Sequence, residues 1–114
     1  MNNNPKHKLS SSDIEQLIDT AVLAGMHDIL ERDNHYILVD MHEPTERKRI
    51  TKEDIQSAYD ATLQGTTPYK QLNNTMRRAL TLSDEGGFDD CGHADCIAYD
   101  AILQIAAHGE IIIG

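Results

Sequence analysis

The sequence predicts an α+β fold that is mainly helical, with about four helices packed on a small antiparallel sheet. Three observations support this fold class. Apolar residues recur at helical spacing in four stretches of the chain. Two short runs rich in Ile and Val, residues 36–41 and 110–113, are typical of strands and are expected to pair with each other. Aromatic residues make up only 4% of the chain, so the core must be aliphatic, which suits helix packing.

The length of 114 residues predicts one domain that can bury a core without disulfides or metal. Residues 1–10, rich in Asn and Lys, are expected to form a flexible arm, and residues 11–114 a single globular domain. Two cysteines five positions apart are no disulfide framework. No signal-peptide pattern and no run long enough to span a membrane occurs, so we expect a cytoplasmic protein.

The first half of the chain is expected to contain one helix followed by two strands. Ser12 with Glu15 three positions later predicts a capping box, and the apolar spacing behind it predicts a helix over residues 13–32. Residues 36–41 are the first predicted strand. After a turn, residues 47–50 are expected to return as a polar edge strand.

Three more helices are predicted in the second half. Thr51 with Asp54 predicts the start of one helix, which Gly65 ends. Thr67 followed by proline predicts the start of the next, over residues 67–82. The last predicted helix, from about residue 94 to Gly109, is apolar around most of its circumference. This is typical of a helix that is central in a core or shared with a second subunit. Together with an edge strand at residues 110–113, this favours a homodimer.

The net charge of −9 is unevenly distributed. Residues 83–114 carry seven acidic residues and no Lys or Arg, whereas residues 61–82 carry three basic residues and no acid. This balance favours a basic protein partner and disfavours nucleic acid. We therefore expect a non-enzymatic regulator or inhibitor, by analogy an accessory protein of the prophage or plasmid type. The predicted partner-binding residues are Asp84, Glu85, Asp89, Asp90 and Asp95.

A second hypothesis is a DNA-binding regulator, because the second and third predicted helices have the order of a helix-turn-helix. The helix over residues 67–82 would present side chains that can contact phosphates and base edges, namely Lys70, Gln71, Asn74, Arg77 and Arg78. The charge of −9 opposes this hypothesis, since DNA-binding proteins normally present a broad basic surface.

A third hypothesis is a metal-binding domain centred on Cys91, His93 and Cys96. Two thiols and an imidazole within six residues can supply three ligands to tetrahedral zinc. Structural zinc sites usually combine two pairs of ligands, and no second pair occurs here, so no cofactor is expected and zinc is the alternative. No Ser-His or Cys-His pair has an orienting partner, which predicts no catalytic residues. The histidines His7, His27, His35 and His42 are expected at the surface.

Overall fold

The computed structural model describes residues 8–43, 45–82 and 96–112. Within these ranges the fold is α+β and mainly helical, with helices packed on a three-stranded antiparallel sheet, as predicted. The elements in chain order are α1 (Ser11–Ala21), a short 3-10 helix (Val22–Ala24), β1 (His27–Glu31), β2 (Tyr36–Asp40), β3 (Arg47–Ile50), α2 (Lys52–Gln64), α3 (Lys70–Leu82) and α4 (Cys96–His108).

The predicted helix over residues 13–32 is wrong in its second half. α1 begins two residues earlier than expected, because Ser10 is the N-cap: its hydroxyl accepts the Asp13 N–H, and its own N–H donates to the Asp13 carboxylate. Gly25 adopts a left-handed conformation with φ 79°, which ends the helical segment, and β1 follows. Ile29 in β1 continues the helical spacing by coincidence, and pairing with β2 decides the conformation.

The sheet has the order β1-β2-β3. β1 pairs with β2 in the register His27↔Asp40 and Leu30↔Ile37. The predicted strand over residues 36–41 is confirmed as β2 and the predicted edge strand over residues 47–50 as β3. β3 pairs with the other side of β2, so β2 lies in the middle of the sheet.

The predicted terminal strand is wrong for the residues that the structure describes. Residues 110–112 follow α4 without entering the sheet, and residue 113 lies outside the described part. β2 has β1 on one side and β3 on the other, so no edge of β2 is left for the terminal segment. Its backbone is instead held by side chains: Ile111 donates its N–H to the Tyr69 hydroxyl and Ile112 donates to Gln104 Oε1, each at 2.9 Å.

The second predicted helix is confirmed at both ends. Thr51 and Asp54 form a capping box, and Gly65 ends α2 in a left-handed conformation with φ 74°. α3 begins at Lys70, three residues later than the predicted Thr67. The Thr67 hydroxyl accepts the Tyr69 N–H and donates to Asn73 Oδ1, so Thr67 holds the chain before the helix begins.

α4 is the central helix of the core. It packs against α1, α2, α3, β3 and the 3-10 helix, and seven consecutive residues from Ala98 to Gln104 are buried. Its wide apolar face is therefore accounted for by neighbours in the same chain, and the homodimer stays a prediction. Leu9 also belongs to the core, and its N–H donates to Gln56 Oε1. Leu9 is therefore held in the fold, and residues 1–7 of the predicted flexible arm over residues 1–10 lie outside the described residues.

Candidate functional site

An apolar groove lies between α3 and α4. Its volume is about 530 Å³. Ile97, in the first turn of α4, lines this groove with 59% of its surface exposed. The other lining residues come from four segments: Met26, Tyr69, Lys70, Gln71, Leu72, Thr75, Ala98, Ala101, Gln104 and Ile111.

Along the chain, the acidic residues predicted to bind a partner lie in the segment that connects α3 to α4, the two helices that line this groove. Asp84, Glu85, Asp89, Asp90 and Asp95 all lie in residues 83–95, outside the described residues. That segment leaves α3 after Leu82 and enters α4 at Cys96, next to Ile97. The chain therefore connects an acidic segment directly to one wall of the groove.

The residues predicted to contact DNA share one face of α3. Lys70, Gln71, Asn74, Arg77 and Arg78 are all exposed, and their spacing of three and four positions places them side by side. Arg77 also has a structural contact, because its Nε donates to the Leu63 carbonyl at 2.8 Å. Its guanidinium lies where a side chain at Gly65 would project.

Two of the three predicted zinc ligands, Cys91 and His93, lie outside the described residues. Cys96 is described as a free, partly buried thiol at the start of α4. Among the described residues, no group of three or more His, Cys, Asp or Glu side chains is arranged to hold a metal ion. The metal hypothesis therefore stays a prediction.

The expectation that His27 lies at the surface is wrong. It is 4% exposed, and its Nδ1 lies 2.9 Å from Oδ1 of Asp100, which is fully buried. The second carboxylate oxygen of Asp100 accepts a hydrogen bond from Gln104 Nε2 at 2.8 Å. Gln104 Oε1 in turn accepts the Ile112 N–H. The network links β1, α4 and the segment after α4.

One sequence signal could have revealed this network. Asp100 lies within the most apolar helix of the chain, and a buried carboxylate is expected to have a polar partner, because an isolated buried charge is very costly. The partner His27 is 73 positions away. Only the chain topology could identify it.

A second cavity, of about 380 Å³, lies beside this network. Its charged and titratable lining residues are His27, Asp40, Glu46, Arg47, Lys48 and His108. Backbone N–H groups of His42 and Glu43 donate to Asp40 and hold the pKa of its carboxyl below the ordinary value.

His108 borders this cavity from the last turn of α4. Burial lowers the pKa of His108 below its ordinary value, and the positive charges of Lys48 and His27 lower it further. Glu110 and Glu46 oppose this effect without reversing it. The neutral form of the imidazole is therefore favoured.

No protein family, no curated protein and no solved structure matches this chain. Across the described residues, no helix has the length and apolar character needed to cross a membrane.

Proposed function

We propose that this protein is a non-enzymatic regulator or inhibitor that acts in the cytoplasm by binding a basic protein. The groove between α3 and α4 would receive an apolar stripe of the partner, and the acidic segment 83–95 would contact basic residues beside that stripe. The observation that supports this proposal is the exposed Ile97 in the wall of the groove. Exposed apolar surface rimmed by polar residues is typical of a protein interaction site.

The shape of the groove favours a helical partner. It lies between two helices, and most of its exposed lining is apolar, with polar groups from Lys70, Gln71, Thr75 and Gln104 among the lining residues. Helix-in-groove interfaces receive one face of an amphipathic helix in a groove of this kind. Ile97 is the expected anchor contact, because an exposed isoleucine gains the most from being covered by a partner.

Charge supplies the second part of the argument. Residues 83–95 contain five acidic residues and no Lys or Arg. Opposite charges on the partner would accelerate association and select against acidic competitors more than they would raise the final affinity. The expected partner segment therefore carries Lys or Arg beside its apolar stripe.

The test uses two synthetic helical peptides with the same apolar stripe, one with Lys and one with Glu at the flanking positions. Fluorescence anisotropy with the full chain is expected to detect binding of the Lys peptide only. Ile97→Asp should remove this binding, because a carboxylate in the groove meets apolar surface. Leu23→Asp is the matched control, since Leu23 is 76% exposed, lies outside the groove and undergoes the same change of charge.

The charge contribution is tested separately with Asp89→Lys combined with Asp90→Lys. This variant should bind the Lys peptide more weakly and lose most of the salt dependence of binding, because salt screens exposed charges over about 8 Å. Equal binding by the wild type, the Ile97→Asp variant and the charge-reversal variant would contradict the proposal.

DNA binding through α3 is the second candidate function. It is favoured by the common exposed face of Lys70, Gln71, Asn74, Arg77 and Arg78. A gel-shift assay with genomic fragments at low salt tests it, and Arg78→Ala should remove any shift. Arg49→Ala, which changes an exposed arginine in β3, is the control.

A further inference from the structure

A cavity of about 390 Å³ lies between α1, β1 and β2, and it shares no lining residue with the groove between α3 and α4. Its charged lining residues are all acidic and all exposed, namely Glu15, Asp19, Asp28 and Glu31. None of these carboxylates forms an ion pair with a described residue. The cavity is therefore negative, and within the described part of the chain no ion pair balances its charge.

The positions of two of these acids are unfavourable for α1 itself. Glu15 and Asp19 are four positions apart in the helix, and like charges at this spacing repel each other. Asp19 also lies in the last turn of α1, where the helix dipole disfavours negative charge, and that turn has no basic residue. A cation bound in the cavity relieves both effects.

The Tyr36 hydroxyl is a second feature of the cavity, independent of the acidic side chains. Tyr36 is 5% exposed and lines the cavity from β2, directly opposite Glu31 of β1. Burial raises the pKa of its hydroxyl, and the nearby carboxylates of Glu31 and Glu15 raise it further.

This hydroxyl has no hydrogen-bond partner among the residues that the structure describes, which leaves Tyr36 with an unpaired polar atom beside the acidic side chains. A buried polar group without a partner is costly, and most such groups in proteins contact water, an ion or a ligand. A phenolic oxygen can accept a hydrogen bond from an ammonium group.

The arrangement of the lining favours an elongated cation. Among the described residues, no three carboxylates converge in the way that ligands of one metal ion do. Ile18, Val22 and Ile29 also line the cavity, so apolar surface lies among the separated carboxylates. An alkyl chain packs on such surface while its charged ends stay in contact with polar groups and water.

We propose that this cavity binds a small aliphatic diamine or polyamine. Its ammonium groups contact carboxylates of α1 and β1, its methylene chain lies on the apolar lining residues, and the Tyr36 hydroxyl accepts one ammonium N–H. Charge-assisted hydrogen bonds between ammonium and carboxylate are about twice as strong as neutral ones. The site lies outside the groove between α3 and α4, so this inference does not depend on the proposed protein partner.

The test is an NMR titration of the full chain with putrescine, a diamine whose alkyl chain is as long as that of lysine, at constant ionic strength. The methyl groups of Ile18 and Ile29 should show saturable shifts. Those of Ile112, which is 53% exposed and lies outside the cavity lining, should not.

Two parallel titrations separate a diamine from other cations. Acetyl-lysine amide, a model of a basic side chain with a single ammonium, should bind about two- to fivefold more weakly, the contribution of one exposed ion pair. Calcium ions should also bind more weakly than putrescine, because no three carboxylates of the described residues converge on one point.

Glu15→Gln is the decisive variant, because Glu15 is exposed and the change removes one charge while keeping the shape of the side chain. It should weaken putrescine binding by about two- to fivefold. Glu53→Gln is the matched control, since Glu53 is an exposed glutamate in the first turn of α2 and does not line the cavity. Tyr36→Phe removes only the hydroxyl and should also weaken binding.

The inference is wrong if putrescine gives no saturable shift at Ile18 and Ile29, or if acetyl-lysine amide or calcium binds there as tightly as putrescine does. It is also wrong if the Glu15→Gln and Glu53→Gln variants bind putrescine equally.

Discussion

The imidazole of His27 in β1 and the carboxylate of Asp100 in α4 form a buried pair, with Nδ1 2.9 Å from Oδ1. The two side chains are 3% and 0% exposed. This pair attaches the first strand of the sheet to the central helix of the core. Breaking this pair should therefore lower the stability of the fold.

Asp100→Asn should destabilise the protein by about 1–3 kcal/mol, because a buried donor loses its charged acceptor. Denaturant unfolding followed by circular dichroism measures this change. Asp33→Asn, in an exposed turn, should change the free energy of unfolding by less than about 0.5 kcal/mol. Equal stability of the two variants would mean that the His27–Asp100 pair contributes nothing.

Ser10→Ala should cost about 1 kcal/mol of stability, because its hydroxyl accepts the Asp13 N–H at the start of α1. Ser12→Ala should have almost no effect, since Ser12 is an exposed residue inside α1. Thermal unfolding of both variants checks the location of the cap. A larger loss of stability in Ser12→Ala than in Ser10→Ala would instead support the capping box predicted from the sequence at Ser12 and Glu15.

Lys48→Met should raise the pKa of His108, because the nearby ammonium disfavours the protonated ring. Glu110→Gln should lower it, since the carboxylate favours protonation. The pKa in both variants is measured by NMR titration of the ring. Shifts in the same direction for both variants would contradict the assigned charges.

The lowered pKa of His108 also predicts a direction for the dependence of stability on pH. The unfolded chain binds the proton more readily than the folded protein does, so the contribution of His108 is fully present above the unfolded pKa. It is lost as the pH falls toward the lower folded pKa. In His108→Gln, the loss of stability below neutral pH should be smaller than in the wild type.

Gly65→Ala should destabilise the protein more than Gly25→Ala. Both glycines have positive φ, which strains any other residue by about 1–2 kcal/mol. A Cβ at Gly65 would also displace the Arg77 guanidinium and disturb its hydrogen bond to Leu63, whereas a Cβ at Gly25 meets nothing. Equal losses in denaturant unfolding would show that the Arg77 contact adds nothing.

Local sequence patterns were sufficient to predict an element where the pattern fitted only one conformation. The capping box at Thr51 and Asp54, the end of α2 at Gly65 and the strand β2 were all predictable, because caps, glycines and short β-branched runs act over a few residues. The central position of α4 was predictable because apolar residues occur around most of its circumference.

The errors lie where long-range contacts decide between alternatives. β1 has apolar residues at spacings that also fit a helix, and only its pairing with β2 makes it a strand. That pairing also removes the place expected for the terminal strand. Of the candidate sites, the exposed face of α3 follows from helical spacing, whereas the His27–Asp100 pair depends on a contact 73 positions apart.

The most direct test of the proposed function is site-specific photo-crosslinking in cells that produce the protein. Benzoylphenylalanine at position 97 should cross-link a partner through a segment rich in Lys or Arg, and the same probe at position 23 should not. The wild-type chain, produced in excess in the same cells, should compete with this cross-link. No product at position 97, or the same product at both positions, would contradict a binding site in the groove between α3 and α4.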